Sequence, residues 1–365
     1  MNADTHPLQA LTPVLREHRV LIAIIVLYSV AAFALYHHFP DNYAAGAVFD
    51  GMAASSLLGP VFGLCAYAIY VMLMVRPERL THYLYTSLCR YLTRARLLHA
   101  MPIVLLFPLF ICSFTVFKAA VPVLQPFAWD ERLNAWDLAL HGGVAPWLWL
   151  QAVFGHPYLS YLVNFAYHLW FFIVYALLYW LAFNMDQARL RMQFLLSFVL
   201  SWILLGSVLA ALFSSVGPCF YGQLHPGHDP YAPLMEYLYA SNQQVPIWAL
   251  QVQQLLWDGY RHHNAALGIA AMPSMHVATS VLLALWGWRH DRRAGIALSA
   301  FALLIIVGSI HLGWHYAVDG YVGAAGAAAI WFAVGALLPG ALPGKAAAMP
   351  QPQRGTEVRG LRHEH

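Results

Sequence analysis

Two short stretches carry residue types that could do chemistry together. The first is Ala271-Met272-Pro273-Ser274-Met275-His276, where a loop turns into an apolar segment. Ser274 stands in a helix-capping place, and a helix start offers free backbone amides to an anion. The second is His311-Leu312-Gly313-Trp314-His315-Tyr316-Ala317-Val318-Asp319, at the junction of two apolar segments. Read as helical, His315 and Asp319 are i and i+4, so the carboxylate reaches one imidazole nitrogen and leaves the other to react. A neutral imidazole of fixed tautomer is a nucleophile, and His276 offers a separate acid and base for a departing or arriving oxygen.

Blander readings exist for each residue. A lone histidine near a helix end is usually a structural hydrogen bonder, and the chain has 19 histidines. Two motifs that agree in spacing and in side favour the catalytic reading. His311, one turn before His315, either supports it from behind or is interfacial. Zinc held by His311, His315 and Asp319 is conceivable, but no further acidic cluster accompanies them. Neither a metal nor a cofactor is expected.

The elements that must position these residues are membrane spans. Apolar residues make up 61% of the 365-residue chain and charged residues 10%, far from the roughly half and quarter of soluble domains. Segments of about 17–25 apolar residues fit a hydrocarbon core roughly 30 Å thick. Eight candidates lie near 20–38, 53–75, 101–124, 159–183, 194–215, 274–290, 295–313 and 317–338. The first follows Arg16 and Arg19 and resembles a signal peptide, but its length and the bulky Tyr36-His37-His38 favour a retained anchor. The fold expected is an all-α polytopic membrane protein of about eight helices with a six-helix core.

Basic residues orient the spans under the positive-inside rule. Threading from an inside N-terminus leaves only Lys118, Arg132 and Arg261 on the outer side, out of 19 lysines and arginines. The outer loops, 125–158 and 216–273, carry Asp130, Glu131, Asp137, Asp229, Glu236 and Asp258. Both termini are then cytoplasmic, and the sixth span begins on the side where the seventh ends, which brings the two motifs to one depth. In a bacterial inner membrane the site faces the periplasm. Residues 1–99 read as two peripheral spans plus an amphipathic helix on the inner surface, 100–339 as the catalytic domain and 340–365 as a disordered tail. Pro146-Trp147-Leu148-Trp149-Leu150 suggests a short interfacial helix. The four cysteines, Cys65, Cys89, Cys112 and Cys219, form no disulfide or metal spacing and read as free thiols. No clustered basic and aromatic pattern argues for nucleic acid.

With these residues in view, the chain resembles the type 2 phosphatidic acid phosphatase superfamily, and within it the aureobasidin-resistance, inositol phosphorylceramide synthase-like branch. Pro273-Ser274-Met275-His276 looks like the family's second motif and His315-Tyr316-Ala317-Val318-Asp319 like its third. The resemblance implies that His315 attacks phosphorus, Asp319 orients it and His276 serves the leaving group. Two departures stand out. The family's first motif is a lysine, six residues, then Arg-Pro, whereas Lys118 is followed by Gln125-Pro126; the arginine expected six residues before the nucleophile is Ser309. The phosphate clamp is thinner, which suits the transferase-like branch. Lys118, Ser274, Gln125 and His311 are the expected substrate and phosphate contacts. Lys118 could instead snorkel to the interface, Arg132 or Arg261 could replace the missing arginines, and Asn164 and His168 could line a lipid passage or, as we favour, bond a neighbouring helix.

The implied function is a membrane phosphotransferase on lipid phosphate esters, working through a phosphohistidine and passing a phosphorylated head group to an alcohol. Its partners are a membrane lipid and an alcohol acceptor. A lipid phosphate phosphatase is the alternative, and a transporter or scaffold of the same fold is the runner-up from another class. The sequence leaves the oligomeric state open.

Overall fold

The computed structural model describes residues 7–39, 47–261 and 268–339; the expected tail, 340–365, lies outside them. Among the described residues the chain is helical throughout, with no strand. The longer helices are α1 (Pro7–His38), α2 (Ala47–Tyr70), α3 (Leu80–Tyr91), α4 (Arg94–Leu124), α5 (Asp130–Leu140), α6 (Pro146–Phe154), α7 (Pro157–Phe183) and α8 (Ala188–Ile203). They are followed by α9 (Ala232–Asn242), α10 (Trp248–Arg261), α11 (Met275–His290), α12 (Arg292–His311) and α13 (Ala317–Leu337). Seven helices among the described residues are long and apolar enough to cross a membrane, so the protein is an all-α integral membrane protein. The sixth expected span, α11, is shorter, with 16 residues. It compensates in position by packing against α8, α12 and α13.

Helix packing within a membrane depends on shape and close approach rather than on water exclusion. On α1, Leu21, Ile25, Tyr28 and Ala32 recur on one face and are buried, and α1 lies along α4 and α8. α2 packs on α4 and α7, whereas α3 has no buried residue. α8 continues through a π-helical turn, Leu204–Leu209, to Leu212. Such turns re-aim the residues they contain. Here Ser207 bonds the Tyr28 hydroxyl at 2.7 Å while Gly206 faces Phe114 and Met275.

The three last helices set the functional geometry. A single residue, Asp291, joins α11 to α12, and its carboxylate caps α12 by accepting the Arg293 and Ala294 N–H groups at 2.9 and 3.1 Å. α12 therefore returns antiparallel to α11, and α13 descends again. The start of α11, the end of α12 and the start of α13 meet at one end of the bundle, the site end. α5, α6, α9 and α10 lie between the long helices at that end.

Candidate active site

His315 is two residues short of α13, not within it. The helical i, i+4 reading is thus corrected: Tyr316 is the N-cap, and Asp319 reaches back from the first turn to accept the Tyr316 N–H at 3.0 Å. The same Oδ2 lies 3.4 Å from His315 Nδ1, while Oδ1 is buried with no partner. His315 Nδ1 also donates to the Ala271 carbonyl at 2.8 Å. Two acceptors therefore fix the proton on Nδ1 and leave Nε2 as the basic nitrogen. Gly313, at φ 74°, makes the turn that carries His315 past the end of α12, and its carbonyl accepts the Cys219 N–H at 2.8 Å.

The two motifs bond each other directly. Ser274 is fully buried as the N-cap of α11, and its backbone N–H donates to the Asp319 carbonyl at 3.0 Å. Its hydroxyl caps the Val277 N–H at 3.5 Å. A Cβ at Gly323 would sit 2.6 Å from the Ser274 carbonyl, so glycine is what lets α13 approach this closely. In the first turn of α11, His276 stacks on Tyr167 (4.5 Å) and lies tilted against Trp170 (4.3 Å), with Phe171 edge-on at 5.7 Å. Its Nε2 is buried and has no protein partner.

Two carboxylates that sequence reasoning missed hold the turn from outside. Asp130 and Asp137 lie on one face of α5 and are buried. Asp137 accepts the Ala317 and Val318 N–H groups at 2.7 and 2.9 Å, a negative charge at the positive start of α13. Asp130 accepts from Val216 N (3.0 Å), Gly217 N (2.9 Å) and the Tyr316 hydroxyl (2.8 Å). Burial pushes both carboxyls upward, and the bonds from backbone N–H groups pull the other way. Burial also holds the Tyr316 hydroxyl well above its usual range, so it stays protonated and donates. Gly217, at φ 90°, brings the 214–217 loop against the Trp314 carbonyl, where a Cβ would stand at 2.6 Å. The available signal was the pair of acids two helical turns apart, on one face of α5.

Lys118, His276 and His315 line one cavity of about 350 Å³, together with His168, which the sequence reading had set aside. Asn164 behaves as that reading favoured, accepting the Ala249 N–H on its side chain at 3.0 Å. Val252 and Leu256 of α10 and Gly268–Ala271 also line the cavity. Ser274, Gln125 and His311 do not line it. Gln125 is exposed at the end of α4. His311 is fully buried and bonded through Nε2 to Ser160 Oγ at 2.8 Å. Arg132 is exposed and stacks over Trp129, and Arg261 is exposed at the end of α10, so neither replaces the missing arginines within the cavity. Among the described residues no three histidines, cysteines or acids converge as a metal site, and the four cysteines form no disulfide.

Comparison with curated proteins and with solved structures gives no match for this chain. A family profile described as the PAP2 superfamily does match, over residues 131–333. That span is more than half of the chain and includes Asp137, His168, Ser274, His276, His315 and Asp319, with Lys118 outside it. Members of the superfamily are generally phosphatases or phosphotransferases, and the two histidine motifs, hydrogen-bonded to each other beside a shared cavity, fall within the matched residues: the chain belongs to the PAP2 superfamily.

Proposed function

We propose that this protein is a lipid phosphotransferase in which His315 carries the phosphoryl group, as in the inositol phosphorylceramide synthase-like branch. The observation that carries the reading is the held imidazole: Nδ1 is engaged by Ala271 and Asp319, and the ring borders a cavity shared with Lys118 and His276. In the first step His315 Nε2 bonds to phosphorus and the ester P–O bond breaks. The electron pair departs with the alkoxide, which takes a proton from His276. Asp319 offsets the positive charge of the phosphorylated imidazole. In the second step an acceptor hydroxyl gives its proton to His276, its oxygen bonds to phosphorus and the P–N bond breaks.

The shape of the cavity supports a lipid. It continues from Lys118 through Thr115, Phe114 and Ile111 to Phe107, eleven residues of helix or about 16 Å, close to half of a ~30 Å hydrocarbon core. Phe171, Val174, Phe198 and Trp202 complete this apolar shaft. Val252 and Leu256 line its site end, which supports an alcohol over water as acceptor, since positioning and water exclusion decide between them. The distribution of charge supports a site facing away from the cytoplasm, in a bacterial cell toward the periplasm: among the described cations only Lys118, Arg132 and Arg261 are at the site end.

Purified protein incubated with labelled lipid phosphates, with and without alcohols, tests the reading by its products. An alcohol-dependent phospholipid and an alkali-stable label on His315 are expected. Rapid release of phosphate without alcohol-dependent product would leave a lipid phosphatase, and turnover that survives His315→Ala would remove the covalent step.

A further inference from the structure

A phosphate ester entering this cavity brings at least one negative charge into a mostly aromatic enclosure, which is costly without fixed positive partners. Lys118 is the one lysine or arginine among the lining residues. The remaining groups able to carry a positive charge there are His276, His315 and His168. The mechanism proposed above uses the first two for proton transfer and for bond formation. His168 has no task in it.

The structure holds His168 much as it holds His315. Its Nδ1 donates to the Asn164 carbonyl one turn earlier on α7, at 2.8 Å. The Asn164 side chain is tied to α10 through the Ala249 N–H, and Trp248 of α10 packs edge-on against the His168 ring at 5.7 Å. Nδ1 is therefore spent on a carbonyl in a fixed direction, and Nε2 is the nitrogen left for the cavity. Lys118 on α4, His276 on α11 and His315 before α13 are the other chargeable groups around the same space.

We infer that His168 is a phosphate-binding residue: as an imidazolium it donates Nε2–H to a phosphoryl oxygen while Nδ1–H stays on Asn164, so that with Lys118 it forms a two-cation clamp. The proposal rests on the function proposed above and names a second anchor for its substrate. Such a charge-assisted bond acts in the ground state and in the transition state alike, so its loss falls on binding.

The test compares wild type with His168→Gln in detergent, using inorganic phosphate as the binding probe and a lipid phosphate as the substrate. About a ten-fold rise in phosphate Kd and in KM is expected, larger than any change in kcat. His168→Lys, which keeps a cation, recovers part of the affinity. If His168→Gln does not fold, diethylpyrocarbonate labelling of the wild type decides, with phosphate slowing modification of His168. Unchanged Kd and KM in folded His168→Gln, or no protection of His168 by phosphate, overturns the inference. Turnover that depends on His315 but has normal KM in His168→Gln would sink this clamp and leave the transferase standing; phosphate binding that depends on His168 without turnover would do the reverse.

Discussion

Each end of the bundle gathers a cluster of carboxylate and imidazole, and the two differ in what the cluster borders. At the far end, Glu17 of α1 pairs with Arg191 of α8 and lies 3.4 Å from His99 of α4. Arg191, which is 1% exposed, also bonds the Asn184 carbonyl at 3.1 Å and His99 Nδ1 at 2.9 Å. The His18 ring closes the cluster, edge-on to His99 at 5.3 Å. Three helices are joined by it, and although His18 Nε2 is buried without a partner, none of these residues lines the cavity at the site end. At the site end, Asp319, Ala271 and His315 make as tight a group, but the ring borders a cavity and keeps a nitrogen in reserve. Burial and pairing are common to both clusters; an unspent basic atom beside an open volume separates chemistry from architecture.

The largest effects should split along that line. His315→Ala is expected to reduce turnover at least ~10³-fold, because in the proposed mechanism the residue bonds phosphorus, with only a modest loss of thermal stability from the Ala271 and Asp319 acceptors it leaves unpaired. Arg191→Leu should do the opposite: it strands His99 in a buried site and takes the cation from Glu17, whose side chain is 33% exposed, costing about 1–3 kcal/mol once solvent screening of Glu17 is counted, while the molecules that remain folded keep their activity. Turnover and unfolding in detergent, measured on the same preparations, check both. An Arg191→Leu protein of normal stability and no turnover would erase the distinction between the ends.

Asp319→Asn comes next. Removing the carboxylate from a triad of this kind often acts by releasing the wrong tautomer, but here the Ala271 carbonyl holds Nδ1–H independently at 2.8 Å. The tautomer survives, and what is lost is the charge that stabilises the phosphorylated imidazole. We expect about a 10²-fold fall in kcat, smaller than that of His315→Ala. Equal losses in steady-state assays would mean that Asp319 alone sets the proton.

What the sequence disclosed follows from how local each signal is. The spans of α1, α4, α7, α8, α12 and α13 are written in continuous apolar runs, and the short interfacial α6 in Pro146 and its tryptophans. His276, His315 and Lys118 were legible because charge placement alone put two motifs and one lysine at the same end, and one cavity brings them together. The turn at His315 was not legible, since an imidazole and a carboxylate four positions apart fit a helix and a cap equally well. Asp130 and Asp137 were hidden for a different reason. Their partners are backbone N–H groups far along the chain, at Val216, Gly217, Ala317 and Val318, and any residue type supplies those. His168 was visible as a polar residue in a span, but which of its nitrogens faces a void depends on Asn164, Trp248 and the cavity together.

Asp137→Asn tests whether the outer carboxylates belong to the site or only to the scaffold. The amide oxygen can still accept one of the two N–H groups at the start of α13, but the negative charge at that helix terminus is gone and an N–H₂ group faces a positive helix end. His315 would be held less firmly rather than removed. A fall of about ten-fold in kcat with little change in KM is expected. Normal kcat together with lower thermal stability would assign Asp137 to the scaffold alone.

The smallest effect should come from His311, which stands four residues from His315 and was a substrate-binding candidate on spacing alone. It points the other way. Its Nε2 bonds Ser160 Oγ, which in turn bonds the Tyr237 hydroxyl at 2.8 Å, and the rings of Phe154 and Tyr237 lie about its edges at 6.1 Å. Nδ1 is already buried without a partner, so the site tolerates one unpaired nitrogen and little more. Glutamine at this position can keep the bond to Ser160 but loses the planar packing, which should cost about 1 kcal/mol of stability. Because the ring does not border the cavity, kcat and KM in His311→Gln should stay within about three-fold of wild type. Kinetics and thermal unfolding on one preparation separate these outcomes. A His311→Gln protein that unfolds normally but loses turnover a hundred-fold would return His311 to the reaction and require α12 to turn during catalysis.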